Sequence, residues 1–469
     1  MGKILLTGVS GYIGSHLKDK LKDNHEIIAI SRNAQNKKNE RNVTWKSADL
    51  FDLDAITEVM EGIDTAIYLV HSMMPSAKLT QANFEDMDAL LADNFGRAAK
   101  KQGVKHIIFM SGIIPNDTQL SPHLKSRLEC EKILGYYDIP VSTLRAGLII
   151  GSKGSSYPIL KRMIERLPAM ILPNWAHNMI APVSIDDVID KLAMLVERSP
   201  QENEVFNITR PKVMNYQELF ERIATILDKH LFILHLPTIL IRLSRYWIKE
   251  KMNSKENVKK ALKEKQDEQQ IITTKQSKSN QNKRDEVKDV RAMTRFRIPE
   301  SYSIQDVTRE YAEFINNITL HLVNGTINEH EFNIQLPLIR KCILKMKRDN
   351  HDPINEMIVY KIVGGDLAMV KDSSNARFEF RRILDTNEGI AALQEYESTL
   401  PWGVYKFTQA IAHKFVMGVF KQHMNHLASY EKDKQDSVNK IFTNLAMTTG
   451  VMIGACVGTR IYNKVLAKK

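Results

Sequence analysis

Cysteine is scarce: Cys130, Cys342 and Cys456 are the three in 469 residues, far apart and without paired spacing. That excludes a disulfide framework or a zinc ribbon and points to a reducing compartment, the cytoplasm. Metal-ligand spacing is missing too. His321, His330 and His351 stand alone, with no HExxH and no paired CxxC, so no metal is expected. Internal repeats are absent. The chain enters a strand pattern, KILLTG, without the charged, apolar and cleavage regions of a secretion signal. Met1-Gly2 opens like a myristoylation site, but Leu6 stands where Ser or Thr is needed.

Acidic residues are in deficit, 55 against 66 basic ones, giving a net charge of +11. A basic balance favours anionic partners: nucleic acid, a membrane surface or phosphorylated ligands. Much of the charge sits in one linker and along C-terminal helices, not on a compact patch interleaved with aromatics, which argues against nucleic acid.

What is present divides the chain. Residues 1–228 alternate short β-rich runs with helical patterns, the signature of βαβ units and a parallel sheet. Strands are predicted at Lys3–Thr7, Glu26–Ser31, Val43–Ser47, Thr65–Leu69, His106–Ser111 and Val141–Ala146. Helices are predicted near Ile13–Lys22, Leu53–Met60, Met87–Gln102 and Leu124–Tyr136. The fold class is α/β, a Rossmann-type doubly wound parallel sheet followed by a mixed α+β C-terminal region. Residues 229–249 form an apolar and basic amphipathic segment broken by Pro237, and 250–290 a charged insertion too polar to order itself. A mixed α+β domain over 291–427 carries a strand pair at Met357–Val363 and Arg377–Ile383, then a long helix, Trp402–Leu427. Residues 428–469 form a polar linker and an apolar helix.

The strongest motif is TGVSGYIG, where Gly8, Gly11 and Gly14 follow the first strand and open the first helix. Gly8 permits the tight turn, Gly11 lets backbone N–H groups reach a pyrophosphate, and Gly14 lets helix and sheet pack closely. Thr7, Ser10, Tyr12 and Ile13 fill the same loop and belong to the cofactor-binding set. At the end of the second strand an NAD site usually carries an acid for the ribose hydroxyls. Here the sequence reads IIAISRN, and Ser31 and Arg32 stand there instead. A guanidinium suits a 2′-phosphate, so the cofactor is expected to be NADP, with NAD the alternative.

With those residues in place, residues 1–227 resemble the extended and atypical short-chain dehydrogenase/reductases, especially the group of NmrA-like proteins and the accessory Rossmann subunit of respiratory complex I. TGVSGYIG, SADLFD, LVHS, FMSG, LRAGLIIG and PVSIDDV occur in the family's order. The resemblance implies adenine contacts at Asp49 and Leu50, and a loop under the nicotinamide ribose at Leu69, Val70 and His71. It also implies an active-site serine at Ser111 and a carboxamide-contacting loop at Leu144–Gly151. Reductases of the family use Tyr-x-x-x-Lys; this chain reads HLKSRLECE, with His123 in the tyrosine's place and Arg127 in the lysine's. His can do acid/base work near neutrality, whereas a surface His and Arg would need no catalytic role. The resemblance therefore implies either an NADP-dependent oxidoreductase acting on an apolar carbonyl or quinone-like substrate, or a non-catalytic redox sensor or assembly subunit.

Three segments bear on a membrane surface at the cytoplasmic face as a partner. Ile441–Gly458 carries Gly450, Gly454 and Gly458 at four-residue spacing, fitting either a membrane span or a buried or dimer-forming helix. Trp402–Leu427 and Phe232–Ile248 are apolar with basic residues at intervals, fitting an interface or a core helix with solvated lysines. FEFRRIL, Phe378–Leu384, fits an anion site or a half-buried strand with a charged face. Oligomers are compatible with all of this.

Overall fold

The computed structural model describes residues 2–430 except 236–289 and short stretches at 72–78, 116–119, 153–155, 167–168, 173, 210–212, 350–355, 372–374 and 385. The chain runs β1 (Lys3–Leu6), α1 (Tyr12–Leu21), β2 (Glu26–Ser31), β3 (Val43–Ser47), α2 (Leu53–Val59), β4 (Thr65–Tyr68), β5 (Leu79–Gln81), α3 (Phe84–Gln102), β6 (His106–Gly112), α4 (Pro122–Gly135) and β7 (Val141–Ala146). Then follow β8 (Ile149–Ile150), α5 (Ser156–Arg166), β9 (Ala169–Leu172), β10 (Met179–Ile180), β11 (Val183–Ser184), α6 (Ile185–Val196), β12 (Glu204–Ile208), β13 (Met214–Asn215), α7 (Tyr216–Ile226) and β14 (Phe232–His235).

Seven of these strands form one parallel sheet in the order β12-β7-β6-β4-β1-β2-β3. The period-2 rule explains why its strands are continuously apolar. Leu5, Ile28, Ala66 and Ile107 face the cluster that holds α2 and α3, while Ile4, Leu6, Ile27 and Ile108 face the one that holds α1 and α6. All six strands expected from the sequence are present, within a residue or so at each end; β12 is the added edge.

The second half is built from β15 (Val290–Arg297), α8 (Ile304–Ile318), β16 (Asn324–Ile327), β17 (Glu331–Leu336), β18 (Lys341–Asp349), β19 (Met357–Gly364), β20 (Arg377–Ile383), β21 (Glu388–Tyr396), α9 (Trp402–Phe407) and α10 (Gln409–Tyr430). Its sheet runs β16-β17-β18-β19-β20-β21-β15-β5, antiparallel except where β5, lent by the first half, lies parallel to β15. The strand pair expected at 357–363 and 377–383 is β19 with β20, Val359 opposite Glu379.

Helix α3 lies between the two sheets and is buried continuously from Asp88 to Ala99. Small residues allow this: a Cβ on Gly96 would meet the Tyr137 ring at 2.2 Å. Charged groups sealed there must be paired to be tolerated. Arg381 of β20 donates to Asp93 Oδ2 at 2.7 Å and Asn94 Oδ1 at 2.8 Å, while Arg97 Nε and Tyr137 Oη also reach the Asp93 carboxylate. Arg295 of β15 pairs with Asp86, Glu129 and Glu388. The FEFRRIL strand is therefore a buried strand with a charged face: Arg377 and Arg381 meet the first half, and Phe378 and Phe380 fill the second half's core.

Three expectations change. The Trp402–Leu427 helix is two helices, because Thr408 leaves the helical region at φ −123° and its hydroxyl donates back to Val404 O. Of Phe232–Ile248, only Phe232–His235 is described, as a strand beside β9; the rest of that amphipathic segment lies outside the described residues. Ala428–Tyr430 continue α10 where a linker was expected. The charged insertion up to residue 289 and the apolar Ile441–Gly458 run lie outside the described residues. Among the described residues no helix is long and apolar enough to cross a membrane, and no cluster could hold a metal ion.

Candidate functional site

The glycine turn sits where β1 hands over to α1. Gly8 has φ +64°, and its carbonyl would lie 2.3 Å from a Cβ on Gly14, so a side chain at Gly14 would push helix and turn apart. Helices α2, α3, α4, α6, α7 and α8 are each capped by the side chain of Asp52, Asn83, Ser121, Ser184, Asn215 or Ser303. Helix α1 starts at Gly11 with no side-chain cap. Its first N–H groups, beside exposed Ser10 and Gly11, are thus open to an anion, as a pyrophosphate site requires. Thr7 is fully buried: Oγ1 donates to Ile67 O and accepts from Leu69 N, tying the turn to the LVHS segment. Tyr12 reaches Gly151, where a Cβ would come within 2.1 Å of its hydroxyl. Ile13 packs against the core cluster beneath.

Ser31 ends β2, and Arg32 beside it is exposed. Asp49 lies next to them but is already engaged. Its Oδ1 accepts from Phe51 N and its Oδ2 lies 2.7 Å from Arg291 of β15, whose guanidinium sits 3.9 Å from the Phe51 ring centre. Burial raises the Asp49 pKa, yet Arg291, with help from Arg32, outweighs it and holds the carboxyl below its ordinary range. Leu50 is buried, and its carbonyl accepts from Asn94. The second half thus supplies a cation beside Asp49, at the Arg32 end of the candidate site, a pairing that no local pattern in the sequence reveals.

At the other end, His71 and His123 come together across fifty-two residues. His71 Nε2 and His123 Nδ1 are 2.7 Å apart. His71 Nδ1 lies 2.6 Å from Oδ2 of Asp88, a close contact off the line of a good hydrogen bond, and Ser126 Oγ donates to the same oxygen. Asp88 is wholly buried. A carboxylate this close requires the proton on Nδ1 of His71. Its Nε2 then accepts from Nδ1–H of His123, leaving Nε2 of His123 as the basic nitrogen. Burial, then the nearby His71 and Arg127, lower the His123 pKa and keep it neutral near pH 7.

Arg127 is buried, donates to Val70 O and Met110 O, and lies 4.5 Å from the Phe109 ring centre. It fixes the LVHS segment to β6. Ser111, also on β6, is buried, and its hydroxyl has no partner among the described residues. Asp88 was not anticipated from the sequence. The one signal was an acid inside the run of small apolar residues that makes α3.

Residues 4–208 match the NAD dependent epimerase/dehydratase family. Auxiliary protein GraX of Staphylococcus aureus is 36% identical over 144 residues, 30% of this chain; the chain spans 43% of that protein's length. Among solved structures, UDP-glucose 4-epimerase of Thermotoga maritima has 19% identity and a TM-score of 0.42, over 50% of this chain and 85% of that one. A nucleoside-diphosphate-sugar epimerase of Staphylococcus aureus has 17% identity and a TM-score of 0.42, over 50% and 80%.

Proposed function

We propose, because residues 4–208 match the NAD dependent epimerase/dehydratase family, that this chain is an NADP-dependent oxidoreductase for an apolar carbonyl or quinone-like substrate. The observation that carries the reading is the Asp88–His71–His123 chain where a Tyr-Lys pair would stand. A bound nicotinamide supplies a hydride acceptor or donor. Nε2 of His123 takes the substrate hydroxyl's proton as its Nδ1 proton passes to Nε2 of His71, and the charge comes to rest beside the Asp88 carboxylate. For carbonyl reduction the same proton path runs in reverse. Arg127 holds the loop and not the ribose, a division of labour unlike the family's lysine. Arg32 is the residue that selects the 2′-phosphate.

The test is to purify the chain, identify bound nucleotide, and follow NADPH oxidation with aldehyde, ketone and quinone panels. Tight binding without turnover sinks the enzyme reading. Arg32→Asp should move preference toward NAD; an unchanged preference refutes the assignment.

A second reading, a non-catalytic sensor or assembly subunit at the cytoplasmic membrane surface, is favoured by the commitment of Arg127 to backbone carbonyls and by the name of the auxiliary relative. It predicts sedimentation with membranes that is lost on deleting residues from Ile441 onward.

A further inference from the structure

The second half is not filled. A cavity of about 800 Å³ lies between the apolar face of its sheet and helices α8 and α10, walled by side chains including Ile315, Leu336, Ile343, Phe378, Leu393 and Val416. Protein interiors rarely leave voids much larger than a water molecule, and this volume falls in the range of roughly 300–1,000 Å³ typical of small-molecule pockets. Leu338, also in the wall, is 78% exposed and marks the mouth.

We infer that this cavity binds a neutral lipophilic molecule bearing one hydrogen-bond-accepting head, such as a long-chain ketone, aldehyde or ester. Among the described residues no Asp, Glu, Lys or Arg lines it. A carboxylate or phosphate head would therefore be desolvated without a countercharge, and a sugar would lose most of its hydrogen bonds. Two polar groups stand ready on one face of α10, four residues apart. His413 faces the cavity and makes no hydrogen bond with the described residues; its apolar surroundings push its pKa down to about 4, so it is neutral and offers one N–H. Gln409 Oε1 accepts from Ser398 Oγ at 2.6 Å, while the Ser398 oxygen accepts from Leu400 N. That fixes the amide with Nε2 as a buried donor lacking an acceptor. Donors in an otherwise apolar wall call for an acceptor on the ligand.

The cavity connects to the cofactor half through α10. Gln81 of β5, on the chain segment that follows the LVHS loop, donates to Ala410 O, one residue from Gln409. Binding in this cavity is nevertheless independent of hydride transfer and is read out on its own.

The experiment titrates the full chain calorimetrically with 2-undecanone and with undecanoate, which share chain length and differ in head charge. The ketone is expected to bind one to one, with undecanoate at least about ten-fold weaker and His413→Leu weakening the ketone by about ten-fold, the scale of one buried hydrogen bond. Ile343→Trp, and independently Val416→Phe should the first not fold, intrude on the wall and weaken the ketone by about ten-fold or more. Absence of ketone binding overturns the proposal. So does equal binding of undecanoate, or ketone affinity unchanged in both wall variants. Binding that appears only when residues 441–458 are deleted overturns it in favour of the chain's own apolar end as occupant.

Discussion

The two halves solve opposite problems with the same kind of sheet-and-helix packing. The parallel half seals polar groups inside and commits them: Asp88, Asp93 and Arg127 are buried, and each has partners. The antiparallel half keeps charge off its inner face and leaves space there. Strand β20 carries the contrast within itself, Arg377 toward the Phe51 carbonyl and Arg381 toward α3, Phe378 and Phe380 toward the cavity side. A strand's alternation thus assigns chemistry to each face, and what the face meets determines whether a charge is paired or excluded.

The comparison breaks hardest at His123. If it is the proton-transfer group, His123→Phe lowers kcat by about 10²–10⁴-fold while nucleotide affinity and thermal melting stay near wild type. An unchanged kcat removes His123 from the mechanism. Next in size is the interface. Arg381→Met leaves Asp93 to Arg97 and Tyr137 and takes the closest cation from buried Glu379, and should cost about 3 kcal/mol in denaturant unfolding. A loss below about 1 kcal/mol would show that water reaches the seam.

The smallest effect separates the halves by pH. His106, 2.8 Å from Ser142 Oγ in the parallel sheet, and His413, at the cavity wall, both have pKa values lowered to about 4, chiefly by burial. Below the ordinary value of about 6.5 the unfolded chain takes up protons first. The stability these two neutral rings contribute is therefore full above that pH and is lost progressively down to about 4. Each should account for roughly 2 kcal/mol or less between pH 6.5 and 5. His413→Leu flattens that slope on the cavity side and His106→Leu on the other; identical slopes in all three proteins would show that neither ring is neutral in the fold.

The nucleotide turn was legible because its requirements are local: a glycine at positive φ, one under a close carbonyl, and an apolar strand before an amphipathic helix. Six parallel strands followed from the same short-range periodicity. His123 and Arg127 were found by position, yet their roles were not, since His71 comes from another strand end and Asp88 from the middle of α3. The pairing of Arg291 with Asp49 and of Arg381 with Asp93 spans hundreds of residues, and no local pattern encodes it. FEFRRIL likewise showed an alternation without saying what lay on either side. Sequence alone determined which half could hold a dinucleotide, because backbone geometry and hydrophobic period act over a few residues. Only the tertiary structure decided which charges are buried as pairs and where space remains, because both depend on surfaces brought together from distant parts of the chain.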